Sequence, residues 1–399
     1  MVKNSSLILN HLVSDFTVSV RDTLWGDMLF TSEFVRLFEH PQMQKLRRIK
    51  QLGPVSLLYP GAVHTRFAHS LGVYDISRRI LMSLLRNGCD TITEEGADSF
   101  LCAALLHDMG HFPYAHSLKD VVSKSHESLG VEIIRNDKDL KKLIKNTGAD
   151  VDTVCSIIDP KDGTDEETEL YRNLLSGALD PDKLDYLCRD ACFCGVPYGV
   201  QDVSYTVSHL RVHGSRPALS ADNAGSVEHL LFAKYLMYRN VYWHKTTRTA
   251  TAMVKKAIIS ALKDGLLRES DLYFLDDSQF LSLCEKLYTE KNYKPFELVS
   301  LAESGRLYKT VRQSPCPPSI TPEEIKSLEK RILTEIPAEC EDWQVIVDVP
   351  EPISFESDIP LIKADGSTVT FSEESSLFGK TGVSDAFSSA LRMIRVFTP

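Results

Sequence analysis

Residues 105–116 read LLHDMGHFPYAH, with three histidines and an aspartate directly after the apolar run LCAALL. Burying an imidazole beside a carboxylate is costly unless the two are paired or hold a cation. Histidine with aspartate is also a donor mix that a divalent ion accepts. His107 and Asp108 therefore read as part of a metal site whose other ligands lie elsewhere in the chain. His69 is one candidate. It falls on the apolar stripe Val73, Ile76, Ile80 and Leu84 of a helix predicted over Arg66 to Arg86, so it should face inward. The segment LDPDKLDYLCRD offers Asp180, Asp182, Asp185 and Asp190. On a helix, Asp182 shares a face with Tyr186 and with Arg189 or Asp190, leaving Leu184, Leu187 and Ala191 opposite. Asp180 is the natural competitor for the capping role. Asp182 then has Lys183 beside it. That pairing suits a phosphate ester, which the metal polarises and the lysine neutralises.

Elements must carry these groups to one place. The chain has 399 residues, room for about two or three domains. Helices are predicted from Phe34 to Lys50 with a break near Pro41, from Arg66 to Arg86, and from Ala97 to Met109, which is apolar nearly all round and so central. Others are predicted over Val121 to Ile134, Val151 to Ile158, Asp182 to Cys192, and a long run from Ser226 to Leu267. GPVSLLYPG reads as a turn-rich connection, and the acidic DPKDGTDEETE as a solvated loop. After about Ser300 the pattern changes. Arg306 to Arg312 reads as a strand, Thr321-Pro322 with Glu324 as a helix start, and DWQVIVDV and LRMIRVF alternate as strands do. The fold class expected is mainly α, with a smaller C-terminal α+β region. The divisions expected are 1–265 as the core with an N-terminal extension, 266–300 as a helical connection and 301–399 as the α+β region.

Composition narrows the partners. Apolar residues make up 43% and charged residues 25%, as in an ordinary soluble globular protein. No run of about 18 apolar residues occurs, so no membrane partner is expected. The N-terminal MVKNSSLILNHLVSDF lacks a signal pattern, and nine irregularly spaced cysteines fit reduced thiols in a cytoplasmic protein. A net charge of -10 argues against nonspecific nucleic-acid binding, while a local basic cluster is enough for a nucleotide.

RFAHSLGV, LLHDMGH, and LDPDKLDYLCRD followed by GVPYG resemble the three signatures of the HD-domain phosphohydrolases. MQKLRRIKQLGPVSLLYPGAVHTRFAHSLGV is similar to the deoxynucleoside triphosphate triphosphohydrolases of the sterile-alpha-motif-and-HD type and their bacterial relatives. The resemblance runs over about residues 20 to 265 and more faintly beyond. It implies an HD-domain helical core. It implies His69, His107, Asp108 and Asp182 as ligands of a divalent metal, with Fe, Mn, Mg, Ni or Zn all suited to that donor set. A second Mg2+ on the substrate phosphates is also expected. Arg66, His116 and Lys183 would meet the phosphates, Tyr186 and Asp190 the sugar, and Gln51 and Leu52 the ribose and base, with Gln51 reading the 3'-hydroxyl. Lys234, Tyr238 and Tyr242 would reach the substrate from one face of the long helix. His111, His126 and Glu127 would be catalytic near the scissile bond, with His126 or a partner protonating the leaving group.

The reaction implied is attack by a metal-activated water on the α-phosphorus of a deoxynucleoside triphosphate, releasing deoxynucleoside and inorganic triphosphate. Two alternatives stand beside it. One is another nucleotide or phosphomonoester substrate, such as a nucleoside monophosphate or a guanine alarmone. The other is a nucleotide sensor with a slow site. That second alternative draws on a departure: Lys119 stands where the family usually carries an acid, and Asp120 is one step away. Gln44 and Arg47, with Glu39 where an aspartate is usual, match an activating-nucleotide site at a subunit interface. The family also implies a homo-oligomer (dimers assembling into tetramers or hexamers). His64 reads as structural, and Cys188, Cys192 and Cys194 as small-residue packing. GKTG (Gly379 to Gly382) reads as a turn, because Glu374 stands where a phosphate loop needs its first glycine.

Overall fold

The computed structural model describes residues 2–160, 163–317, 320–335, 340–355, 357–379 and 382–399. It is mainly helical, as the sequence implies, with an N-terminal hairpin of Val18–Asp22 and Gly26–Phe30 and two small sheets toward the C-terminal side. The central helix is Arg66–Arg86. Thr65 caps it by accepting from the Ala68 amide, and Val73, Ile76, Ile80 and Leu84 are all fully buried. Glu94–Leu106 packs along it, opened by Thr93 and buried from Gly96 onward. Pro181–Cys194 crosses the same helix. Asp180 is indeed its cap, accepting from the Lys183 amide at 2.6 Å, with Pro181 in the first helical turn.

Several stretches differ from the pattern reading. The Val121 to Ile134 helix begins only at His126, because Ser125 caps it and the preceding residues turn. The acidic stretch is only partly loop. Asp165 caps a helix over Glu166–Leu175, and the carboxylates of Glu166, Glu167 and Glu169 lie in its first turn, where the helix dipole favours them. Residues 161–162 of that stretch lie outside the described residues. The run from Ser226 onward is two helices, Gly225–Met237 and Lys245–Lys263, joined by a π turn over Tyr238–Tyr242. Pattern reading misses such turns because one extra residue leaves the apolar spacing nearly intact.

Two cores result. The larger gathers the HD helices, and the smaller packs Lys245–Lys263 against Asp277–Thr289 and Glu297–Glu303. The hairpin of Leu210–His213 and Arg216–Ser220 continues into a parallel pairing with Pro360–Ile362, so one sheet joins distant parts of the chain. The strands Lys309–Pro315 and Ile346–Asp348 flank Met393–Thr398 in another. Thr321 and Glu324 cap Pro322–Glu335 reciprocally. Residues 380–381 of GKTG lie outside the described residues. The cysteines are free thiols, and Cys188 and Cys194 pack in the larger core. No described helix is long and apolar enough to cross a membrane.

Candidate metal centre and substrate cleft

His69, from the Arg66–Arg86 helix, meets His107 and Asp108 at the end of Glu94–Leu106, and their ligand atoms lie within 4.8 Å of one another. Asp182 joins from the first turn of Pro181–Cys194. Its Oδ1 stands 2.9 Å from His69 Nε2 and 3.9 Å from His107 Nε2. Both imidazoles are turned for ligation. His69 donates Nδ1–H to Asp185 Oδ2 at 2.7 Å, and His107 donates Nδ1–H to the Ala104 carbonyl at 2.8 Å. Each therefore points Nε2 at the cluster. His107 Nε2 is buried and has no hydrogen-bond partner.

The electrostatics ask for a cation. Burial works against charge on His69, yet its hydrogen bonds to Asp182 and Asp185 outweigh burial and push it up to about 10. Burial would also raise Asp108, but His111, Arg66 and His107 hold its carboxyl well below the usual range. Asp182 is likewise held down to about 2, burial being outweighed by His69. Two imidazoles that aim Nε2 at the cluster, two ionised carboxylates and an orphaned buried nitrogen fit a divalent ion, which would displace the proton of His69.

Two glycines let the parts meet. A Cβ at Gly110 would stand 2.0 Å from the His126 carbonyl oxygen and 2.5 Å from the Gly130 nitrogen. At Gly72 it would stand 1.9 Å from Asp185 Oδ1. Lys45 pins the turn after Asp108 by donating Nζ to the carbonyls of Met109 and His111 at 3.3 and 3.0 Å.

The cluster floors a cleft of about 880 Å³, within the usual range for a small-molecule site. Gln51, Leu52, Arg66, His116, Lys183, Tyr186, Asp190, Lys234, Tyr238 and Tyr242 all line it, as do His126 and Glu127. Asp190 is buried and fixed from two sides. His64 Nε2 bonds its Oδ1 at 2.8 Å, and the Tyr242 hydroxyl donates to Oδ2 at 2.6 Å. His64 thus has a structural contact, and that contact positions a residue of the cleft. Gln51 turns its Oε1 into a buried spot with no hydrogen-bond partner.

Other residues are placed differently from the sequence expectation. His111 does not line the cleft: it is fully buried, stacked on His126 with ring centroids 3.9 Å apart, and 3.1 Å from Asp108 Oδ1. Burial and the Arg66 charge push His111 far down, and burial leads the same shift at His116 and His126. Burial thus disfavours the charged form of all three imidazoles, and an arriving polyanion would favour their protonation. Lys183 Nζ donates to Asp180 Oδ2 at 2.6 Å and to the Gly177 carbonyl at 2.9 Å. Lys234 Nζ donates to the Ser354 carbonyl at 2.6 Å and lies over the Phe355 ring. The π turn also means that Lys234, Tyr238 and Tyr242 do not share one α-helical face. Lys119, at the usually acidic position, pairs with Glu351, and Asp120 pairs with Lys255. Arg47 donates Nε–H to Gln44 Oε1 at 2.8 Å and lies over the Phe67 ring.

Sequence reasoning gave Asp185 no role. Its Oδ2 accepts from His69 and from Arg189 Nε, and its Oδ1 from Trp25 Nε1 at 2.5 Å and Arg189 Nη2 at 2.8 Å. The signal was present. Asp182 and Asp185 are three apart, so both reach one histidine, and Arg189 is four further along on the same side.

The sequence and fold match known proteins. The HD domain matches residues 66–190, and an HD associated region matches residues 201–393. The chain thus carries an HD domain followed by an HD associated region. An uncharacterized protein of Bacillus subtilis is 33% identical over 296 residues, 73% of this chain and 63% of that protein. The deoxynucleoside triphosphate triphosphohydrolase homolog of Dictyostelium discoideum is 25% identical over 73% of this chain and 58% of its own length. The matches thus span less than two thirds of either relative. A phosphohydrolase structure from Bacteroides thetaiotaomicron, 24% identical, superposes with a TM-score of 0.76 over 96% of this chain and 99% of that one, and shares the fold.

Proposed function

We propose that the chain hydrolyses deoxynucleoside triphosphates to deoxynucleoside and inorganic triphosphate. His69, His107, Asp108 and Asp182 are the groups that would hold a divalent ion. Bound there, such an ion supplies a Lewis acid for the phosphate and a lowered pKa for water. Arg66, Lys183 and His116 bind the phosphate oxygens. Arg66 already donates to Asp108 at 2.7 Å, so it ties phosphate contact to the metal ligands. Neutral His126, stacked on His111 and 3.2 Å from Glu127 Oε1, takes up a proton as phosphate charge arrives and returns it to the leaving oxygen. Tyr186 and Asp190 face the sugar, with Asp190 held by His64 and Tyr242.

One observation supports a nucleotide sugar in the cleft. Gln51 presents a buried carbonyl oxygen without a donor, on the same cleft as Asp190, and both are acceptors for a sugar hydroxyl. The HD name alone supports hydrolysis of many phosphate esters. The Dictyostelium relative's name supports a triphosphohydrolase. In this reading 1–265 is the hydrolytic core, 266–300 connects it, and 301–399 closes the cleft with Glu351 and Ser354. Gln44 and Arg47 would receive an activating nucleotide between subunits of a homo-oligomer. The test is discrimination at the 3'-position. Gln51→Ala should lower kcat/KM for deoxynucleoside triphosphates at least tenfold, and cost 2',3'-dideoxynucleotides far less. Equal losses on both would refute the role given to Gln51.

A further inference from the structure

A second cavity of about 270 Å³ shares Trp243 with the cleft and is lined by the π turn and the strand Met393–Thr398. Tyr235, Trp243, Arg239 and Arg395 form its working wall. Arg395 is only 7% exposed, and its Nε and Nη1 are buried without a hydrogen-bond partner. A buried guanidinium in that condition calls for an anion.

The protein supplies only part of one. Asp348 stands opposite Arg395 in the strand ladder. Both of its oxygens are taken by Arg248, through Nε at 3.0 Å and through Nη2. Arg239 adds a third guanidinium on the exposed rim, where its Nη1 donates to the Tyr235 hydroxyl at 3.3 Å. Arg239 and Arg395 line this cavity and, among the described residues, no carboxylate does, while Arg248 and Asp348 pair at the main cleft. Burial lowers the pKa of Arg395 while Asp348 opposes the shift, as expected for an under-compensated cation.

We propose that this cavity is a second oxyanion site, which takes a phosphate group on Arg395 and Arg239. Guanidinium groups match phosphate oxygens in geometry and charge. At this size the cavity holds a phosphate and not a whole nucleotide, which needs the larger volumes typical of ligand pockets. The phosphate is therefore either free or the head of a nucleotide whose base rests outside, against the Tyr235 and Trp243 rings. Trp243 also lines the main cleft and meets the Tyr238 ring edge-on, at 5.4 Å between centroids. An occupant would thus bear on the turn that carries Tyr238 and Tyr242.

The test is calorimetric titration of inorganic phosphate, and separately of deoxyadenosine monophosphate, into the full chain carrying Arg66→Gln. That background weakens the main cleft. Arg239→Gln or Arg395→Gln is then added. The expected result is binding in the Arg66→Gln protein and an affinity loss of at least tenfold in each double variant. Equal affinity for the two ligands would assign the site to free phosphate, and tighter binding of the monophosphate to a nucleotide. Arg239 is a surface residue whose replacement leaves the fold intact. Unchanged affinity in its double variant, or no binding in the Arg66→Gln background, would overturn the proposal.

Discussion

Asp185→Asn removes the group that both orients His69 and neutralises Arg189. The wild-type carboxylate accepts four hydrogen bonds, from His69, Trp25 and twice from Arg189, with no exposure to solvent. Asparagine keeps the volume but offers one acceptor oxygen, and its amide would face donors. Breaking a buried ion pair by changing one partner costs ~3–5 kcal/mol. Arg189 keeps a second partner, Asp22, at 2.9 Å, so the lower end, about 3 kcal/mol, is expected. His69 loses its anchor, and outer partners of this kind set metal affinity by roughly 10–100-fold. Urea unfolding in a chelator reads the first quantity, and calorimetric titration with Mn2+ reads the second. A variant with stability within about 1 kcal/mol of the parent and affinity within about twofold would refute the reasoning.

Other consequences follow from the same geometry. His69 sits at about 10 and must be neutral to ligate, so Mn2+ uptake near neutral pH should release a proton and affinity should rise about tenfold per pH unit. Titrations in buffers of different ionisation enthalpy measure that release, and a pH-independent affinity would contradict it. Gly110→Ala should destabilise the chain by about 1–3 kcal/mol and depress turnover, since two backbone atoms of the His126 segment must move. Its Tm by calorimetry checks this. His11 is held up at about 9 by its hydrogen bond to Asp98, which with Asp15 outweighs burial. The stabilisation is complete below the unfolded value of about 6.5 and is lost as pH rises through about 9. His11→Ala should therefore lower Tm clearly at pH 6 and little at pH 10.

Much of the site was legible because its chemistry is local and its helices are strongly patterned. The stripe on Arg66–Arg86 places His69 inward, and proline after aspartate marks the helix that delivers Asp182. What the pattern hid is tertiary. Asp185 looks like another surface acid until His69 and Arg189 are brought to it. Lys45 looks like an exposed helix lysine, yet it is buried to hold two carbonyls of the metal turn. His111 carries the spacing of a catalytic histidine but packs behind the cleft. The partner of Lys119 lies more than two hundred residues away, at Glu351, where no local signal announces it.

Hydrolysis between the α-phosphorus and the nucleoside has a product signature of its own. Product analysis tests it most directly. The metal-loaded chain is incubated with the four deoxynucleoside triphosphates, singly and mixed, beside Asp182→Ala, and the products are separated by chromatography. The wild type should yield equal amounts of deoxynucleoside and inorganic triphosphate, and Asp182→Ala neither. Release of monophosphate or diphosphate, or full activity in Asp182→Ala, would contradict it.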